Sequence, residues 1–148
     1  MKYFLERQTA LWSLLVLLLL SGCGGAGPEC DSSDTRSSVV KIVSDDSNNA
    51  LVNYAAKNSS AVEAEVNSAS TETQKLVILE KAKQGASYKL DPTIITNSKS
   101  KNKRAATCTC TGLLYVTVGD ATAEKQVDFR VEQRPDGKVY VSVSPFQF

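Results

Sequence analysis

The chain reads as an α+β protein, with N-terminal helices packed on one face of a C-terminal antiparallel meander of about four strands. Three observations predict it. Apolar residues recur with a period near 3.6 before Gly85, they alternate with period two after it, and turn signals separate the alternating runs. Strands grouped after helices, instead of interleaved with them, favour α+β over α/β.

Each element follows from local chemistry. Ser32, Ser33 and Asp34 offer N-cap chemistry. Val40, Val43, Ser47, Leu51 and Tyr54 then form a stripe at helical spacing, flanked by Val39 and Ala50. A helix over 34–57 is predicted, as one element or as two broken at Asp45-Asp46-Ser47-Asn48-Asn49, residues that prefer caps and turns. Asp45 and Asp46 read as a solvated face or a cap, because their spacing does not match a calcium loop. Residues 58–69, rich in Ser, Asn and Ala, are expected to form a loop with a short helical turn around Val62 and Val66. Thr71 and Gln74 make a capping-box pair for a helix over 71–84, with Leu76, Val77, Ile78, Leu79 and Ala82 as a broad apolar face and Gly85 at its C′ position.

Beyond Gly85, Tyr88 and Leu90 alternate with Lys89 and Asp91, and Pro92 marks an edge strand or a bulge before Thr93-Ile94-Ile95-Thr96. Residues 97–104 are expected to be a polar loop carrying Lys99, Lys101, Lys103 and Arg104, either a hairpin tip kept soluble by charge or a contact for anionic head groups, lipopolysaccharide phosphates or cell-wall carboxylates. Over 107–118, Cys108, Cys110, Gly112, Leu114, Val116 and Val118 share one strand face, predicted to meet the helices. Gly112 is expected to sit at a bulge or a close backbone approach. Gly119-Asp120-Ala121-Thr122 turns the chain into 125–133, with Val127, Phe129 and Val131 inward. Arg134-Pro135-Asp136-Gly137 is a hairpin signal before Val139, Val141 and Val143, and Pro145 stops the last strand ahead of Phe146 and Phe148. The layout resembles the cystatin-like or NTF2-like arrangement, in architecture alone, and such folds host many functions.

The N-terminus carries an address. Lys2 and Arg7 precede an almost unbroken apolar run over 11–20, the length of a secretory h-region and short of the roughly 20 residues a spanning helix needs. Leu20-Ser21-Gly22-Cys23 follows, and resembles the bacterial lipobox. That resemblance implies cleavage before Cys23, a diacylglycerol thioether on its thiol and acylation of its amine, which would tie the protein to a membrane. Each buried acyl CH₂ contributes about 0.8 kcal/mol, so several chains anchor firmly. The chain then divides into a signal peptide (1–22), the lipidated cysteine and a short tether (23–31) and one globular domain (32–148). Gly24, where an Asp would specify inner-membrane retention, implies the outer membrane of a Gram-negative envelope.

Composition narrows the function classes. Of 17 basic and 16 acidic residues, Lys2, Arg7 and Glu6 precede Cys23, so the rest of the chain is formally neutral. That disfavours a nucleic-acid partner, which requires a positive field. No histidine is present, which removes the commonest general base and metal ligand. No catalytic residue, metal site or cofactor is expected. Cys30 is predicted to bridge either Cys108 or Cys110, with a dimer through the spare thiol or a free buried cysteine accounting for the third.

Three functions compete. The first is a non-enzymatic binding module that meets another envelope protein or the cell wall, in an exclusion, inhibitor or assembly role. Its contact candidates are Tyr115 and Tyr140 on the outer sheet face, with Leu113, and the basic group Lys99, Lys101, Lys103 and Arg104. The second is a carboxylate or Ser–Lys enzyme. The third is a carrier holding a small apolar ligand between helices and sheet, lined by Leu114, Val116, Phe129 and Val141. The first fits the residues best.

Overall fold

The computed structural model describes residues 27–46 and 49–144. The segments expected to form the signal peptide and the lipobox-like stretch with Cys23, together with Gly24, Ser47, Asn48, Pro145, Phe146 and Phe148, lie outside the described residues. Among the described residues four helices precede four strands: α1 Ser33–Asp45, α2 Ala50–Asn58, α3 Ser60–Ser68, α4 Glu72–Gln84, β1 Ser87–Lys101, β2 Ala106–Val118, β3 Ala121–Gln133 and β4 Val139–Val143. The strands form one antiparallel sheet in the order β1-β2-β3-β4, the expected α+β meander.

The helix starts obey local capping chemistry. Ser32, Asn49, Ser59 and Thr71 each accept a backbone N–H three residues ahead, from Thr35, Val52, Val62 and Gln74. The break between α1 and α2 is organised by Asn49, which is buried. Its amide donates to the Val43 and Asp46 carbonyls at 3.3 and 2.7 Å while its oxygen caps α2 at 2.8 Å.

Residues 58–69 depart from the expected loop, since α3 is a complete helix there. Ser59 supplies its cap and Val62 its buried contact, so tertiary packing outweighs the weak helix preference of Ser and Asn. The apolar face expected of α4 is also only partly used. Ile78, Leu79 and Ala82 are half-buried, whereas Leu76 and Val77 stay 63% and 62% exposed. The helix rests on α2 and α3 as an outer layer, so only one of its edges has a surface to cover.

β2 carries the core. All six residues expected to face inward (Cys108, Cys110, Gly112, Leu114, Val116, Val118) are buried, and the intervening residues are half-exposed. Helix α2 covers the central strands β2 and β3, while α1 reaches the two edge strands β1 and β4. Val39, Val43, Leu51, Val52, Ala55 and Ala56 meet Leu90, Leu114, Val116, Val127, Phe129 and Val131 in one cluster. Among the described residues, no helix covers the other sheet face.

Edge strand β1 shows the irregularity Pro92 announced, a register shift between Leu90 and Ile94, opposite Gly112. A Cβ on Gly112 would come within 3.1 Å of Leu90 Cδ1, a tight approach in which the leucine side chain would have to give. The carbonyls of Leu90 and Pro92 freed by the shift accept from the Arg36 guanidinium of α1 at 3.1 and 3.2 Å. The β3–β4 hairpin closes at Pro135–Gly137 as expected, with the Gly137 N–H donating to the Arg134 carbonyl at 2.9 Å.

The sheet's two ends differ. At one, the β2–β3 turn meets the α2–α3 junction, where the Asp120 carboxylate accepts from the Ser59 hydroxyl at 2.6 Å, the Ser60 hydroxyl and the Ala61 N–H at 3.0 Å. These donors, at the positive end of α3, hold its carboxyl well below the usual carboxylate range. A depressed folded-state pKa stabilises the fold above the unfolded value, and that contribution is lost as pH falls through the folded one. Asp120→Ala is therefore expected to lower Tm at pH 7, with the gap from wild type closing as pH drops below about 4. A gap independent of pH would assign the loss to packing instead.

Candidate functional site

The chain reaches the domain at the opposite end. Pro28, Glu29 and Cys30, within the segment expected to be a tether, are fastened to the rest of the chain. Pro28 is buried and its carbonyl accepts from the Cys108 thiol at 3.3 Å. The Glu29 carbonyl accepts from the Thr35 hydroxyl at 2.9 Å. Cys30 is bonded to Cys110, with the two Cα atoms 5.8 Å apart. The cause is long-range, because Gly-Pro sequence has no intrinsic structure until the disulfide holds it against β2.

Cys108 keeps its thiol. It is fully buried, and its sulfur lies 3.8 Å from that of Cys110. Burial pushes the thiol pKa up, partly offset by the Lys99 charge and a backbone hydrogen bond from Val131. A buried, protonated thiol is a poor nucleophile. The three sulfurs lie within 4.8 Å of one another, but the disulfide occupies two of them.

The basic residues are not one loop. Lys99 and Lys101 belong to β1, paired with Cys108 and Ala106, and only Asn102–Ala105 forms the turn. The segment's polarity suggested a loop. Pairing with β2 overrides that, since a polar edge strand satisfies its outer groups with water. The register places Lys99 and Lys101 on the helix side of the sheet, beyond the last helix and next to residues 27–29. An open hollow of about 420 Å³ is lined by Gly27, Pro28, Glu29, Lys99, Lys101 and Ala106. A second, about 360 Å³, joins Gly27 to Lys101, Lys103 and the β3–β4 turn at Arg134 and Pro135.

Tyr115 and Tyr140 share the outer face but do not meet. Tyr115 pairs with Glu124, whereas Tyr140 pairs with Glu132, whose partner on β2 is Thr107. Eight strand positions separate the two along the sheet, about 27 Å. The Arg134 guanidinium stacks 4.1 Å from the Tyr140 ring centre instead.

The outer face has a different centre. Ile95, 59% exposed, pairs with Thr111 on β2, so Leu113 is its diagonal neighbour and Tyr115 lies one step further along the same face. Polar side chains bracket this apolar strip. The Asn97 amide donates to the Thr111 hydroxyl at 2.7 Å, which donates to Asp128 at 2.6 Å, and the Ser98 and Thr109 hydroxyls lie 2.7 Å apart. Such a face suits a partner that covers a small apolar centre and hydrogen-bonds around it. The signal for Ile95 was present in the sequence, because two successive isoleucines on a strand cannot both face the core.

Three of the four residues expected to line a ligand cavity are core, and Val141 is half-buried against it. Leu114 and Val116 have no exposed surface, Phe129 is 3% exposed, and all three pack among the helix side chains. The chain matches no protein-family model, no curated protein and no solved structure, so the α+β layout and the site stand on their own geometry.

Proposed function

We propose that this chain is a lipid-anchored bacterial envelope lipoprotein, held at the outer membrane through Cys23, whose domain is a non-enzymatic module that binds another envelope protein. The observation that carries the binding half of the reading is the sheet face that no described helix covers, with Ile95, Leu113 and Tyr115 at its centre. The lipobox-like Leu20-Ser21-Gly22-Cys23 carries the anchor. Gly27 is four residues past Cys23, a reach of at most about 14 Å, so an acylated Cys23 would hold the domain against the bilayer. The packed core supports a binding surface over an internal carrier site.

The test is crosslinking in intact envelopes, followed by mass spectrometry of captured proteins and of the Cys23 peptide. One dominant envelope partner is expected, together with acyl chains on Cys23. Cys23→Ser should shift the protein from the membrane to the soluble fraction. Ile95→Asp, at an exposed position, should abolish partner capture and leave membrane association and Tm unchanged. Capture that survives Ile95→Asp would rule out this face as the binding surface.

A further inference from the structure

The basic end of the sheet invites a question separate from partner binding, namely why four cations gather where the chain enters the domain. Lys99, Lys101, Lys103 and Arg104 are all exposed, and among the described residues none lies within ion-pair distance of a carboxylate. Other cations near this end have a carboxylate within reach, two of them sharing one. Arg134 and Arg130 approach Glu132 at 3.4 and 3.6 Å, and Lys138 approaches Asp136 at 3.9 Å. The acid sharing the hollow with Lys99 and Lys101 is Glu29. The neutral domain is thus polarised, with its uncompensated positive charge beside Gly27.

We infer that this end is a second membrane contact, with the β1–β2 hairpin tip seated on the phosphate headgroups of acidic phospholipid. The inference rests on the anchor proposed above, because Cys23 is what brings the surface within reach. Two observations select a lipid surface as the occupant. Gly27 borders both hollows that hold the lysines, and the stretch from Cys23 to Gly27 spans at most about 14 Å. An acylated Cys23 therefore presents this end, and no other, to the headgroups. Lysines near an anionic surface attract it strongly and are screened by salt beyond a Debye length, about 10 Å at 0.1 M. The contact would orient the sheet with its strands rising from the bilayer, which leaves the Ile95–Leu113–Tyr115 face open to the side and the Asp120 turn pointing away.

Amine footprinting on the full-length lipidated protein tests this, in vesicles of zwitterionic phospholipid alone and in vesicles containing acidic phospholipid. Lys99, Lys101 and Lys103 are expected to label about fivefold more slowly on the acidic vesicles, with the difference erased in high salt. Lys41, 74% exposed and beside Tyr88, Lys89 and Leu90 at the other end of β1 from Lys99 and Lys101, serves as the internal reference and should not change. In the doubly substituted Lys101→Glu, Lys103→Glu protein, Lys99 should label at one rate on both vesicle types. Equal labelling of the three lysines on the two vesicle types would overturn the contact. Flotation separates this from the anchor. A protein that floats with zwitterionic vesicles in high salt is anchored, whatever its lysines do. One that floats only with acidic vesicles at low salt has the basic contact but lacks the anchor.

Discussion

Cys30→Ala is expected to lower the free energy of unfolding by about 4 kcal/mol, and Cys110→Ala by only about half as much. The Cys30–Cys110 bond spans 80 residues and ties the chain entry to the second strand of the sheet. Chain-entropy reasoning puts the stabilisation from closing a loop of that size at about 4.5 kcal/mol. Single domains hold only about 5–15 kcal/mol in all, so the loss is severe. The asymmetry comes from Cys108. All three sulfurs lie within 4.8 Å of one another, so when Cys110 is absent a side-chain rotation lets Cys30 close a loop almost as long through Cys108. What remains lost is the packing of a fully buried sulfur at position 110. Among the described residues, no other cysteine upstream of β2 can replace Cys30. Denaturant unfolding under oxidising conditions, with peptide mapping of the disulfide, measures both variants. Equal destabilisation by the two substitutions would show that Cys108 does not substitute.

Gly119→Ala is expected to cost about 3 kcal/mol, as much as a typical large-to-small core substitution, although position 119 is exposed. Its φ of +58° costs an L side chain about 1–2 kcal/mol. The added Cβ would also collide with the Ser59 hydroxyl, which is buried and cannot step aside. That hydroxyl caps α3 by accepting from the Val62 N–H at 3.2 Å and donates to Asp120 at 2.6 Å, so displacing it loosens the joint between helix and hairpin. Losing an N-cap costs about 1 kcal/mol by itself. A double-mutant cycle with Ser59→Ala, which removes the atom in the way, checks the mechanism. The two effects should be less than additive by at least about 0.5 kcal/mol, and additivity would assign the whole loss to the backbone.

Much of the fold was legible because its cues are local. Alternation along β2 and β3 named the buried face residue by residue, since a strand has only two sides. Thr71 with Gln74, the Asp45–Asn49 break and the Pro135–Gly137 turn were legible because caps and turns are satisfied within a few residues. The candidate site was less legible. Tyr115 and Tyr140 were correctly placed on one face, but their separation along the sheet depends on register across three strands. Ile95 was available from its neighbour Ile94 yet gains meaning only beside Leu113, a residue on another strand.

The amino-acid sequence by itself determined the α+β order, the inward face of the central strands, the helix caps, and the lipobox-like segment before Cys23. Each follows from interactions spanning a few residues or from simple periodicity. Only the tertiary structure decided that Cys30 bonds to Cys110 while Cys108 keeps its thiol, and that Arg36 satisfies the carbonyls of the β1 bulge. It likewise decided that Ser59–Ser68 context makes a helix of a polar stretch, and that the lysines of β1 gather beside Gly27. Those outcomes depend on which groups 50 to 80 residues apart come into contact, as the 80-residue disulfide span illustrates. Local propensity carries no information about such contacts until the core assembles.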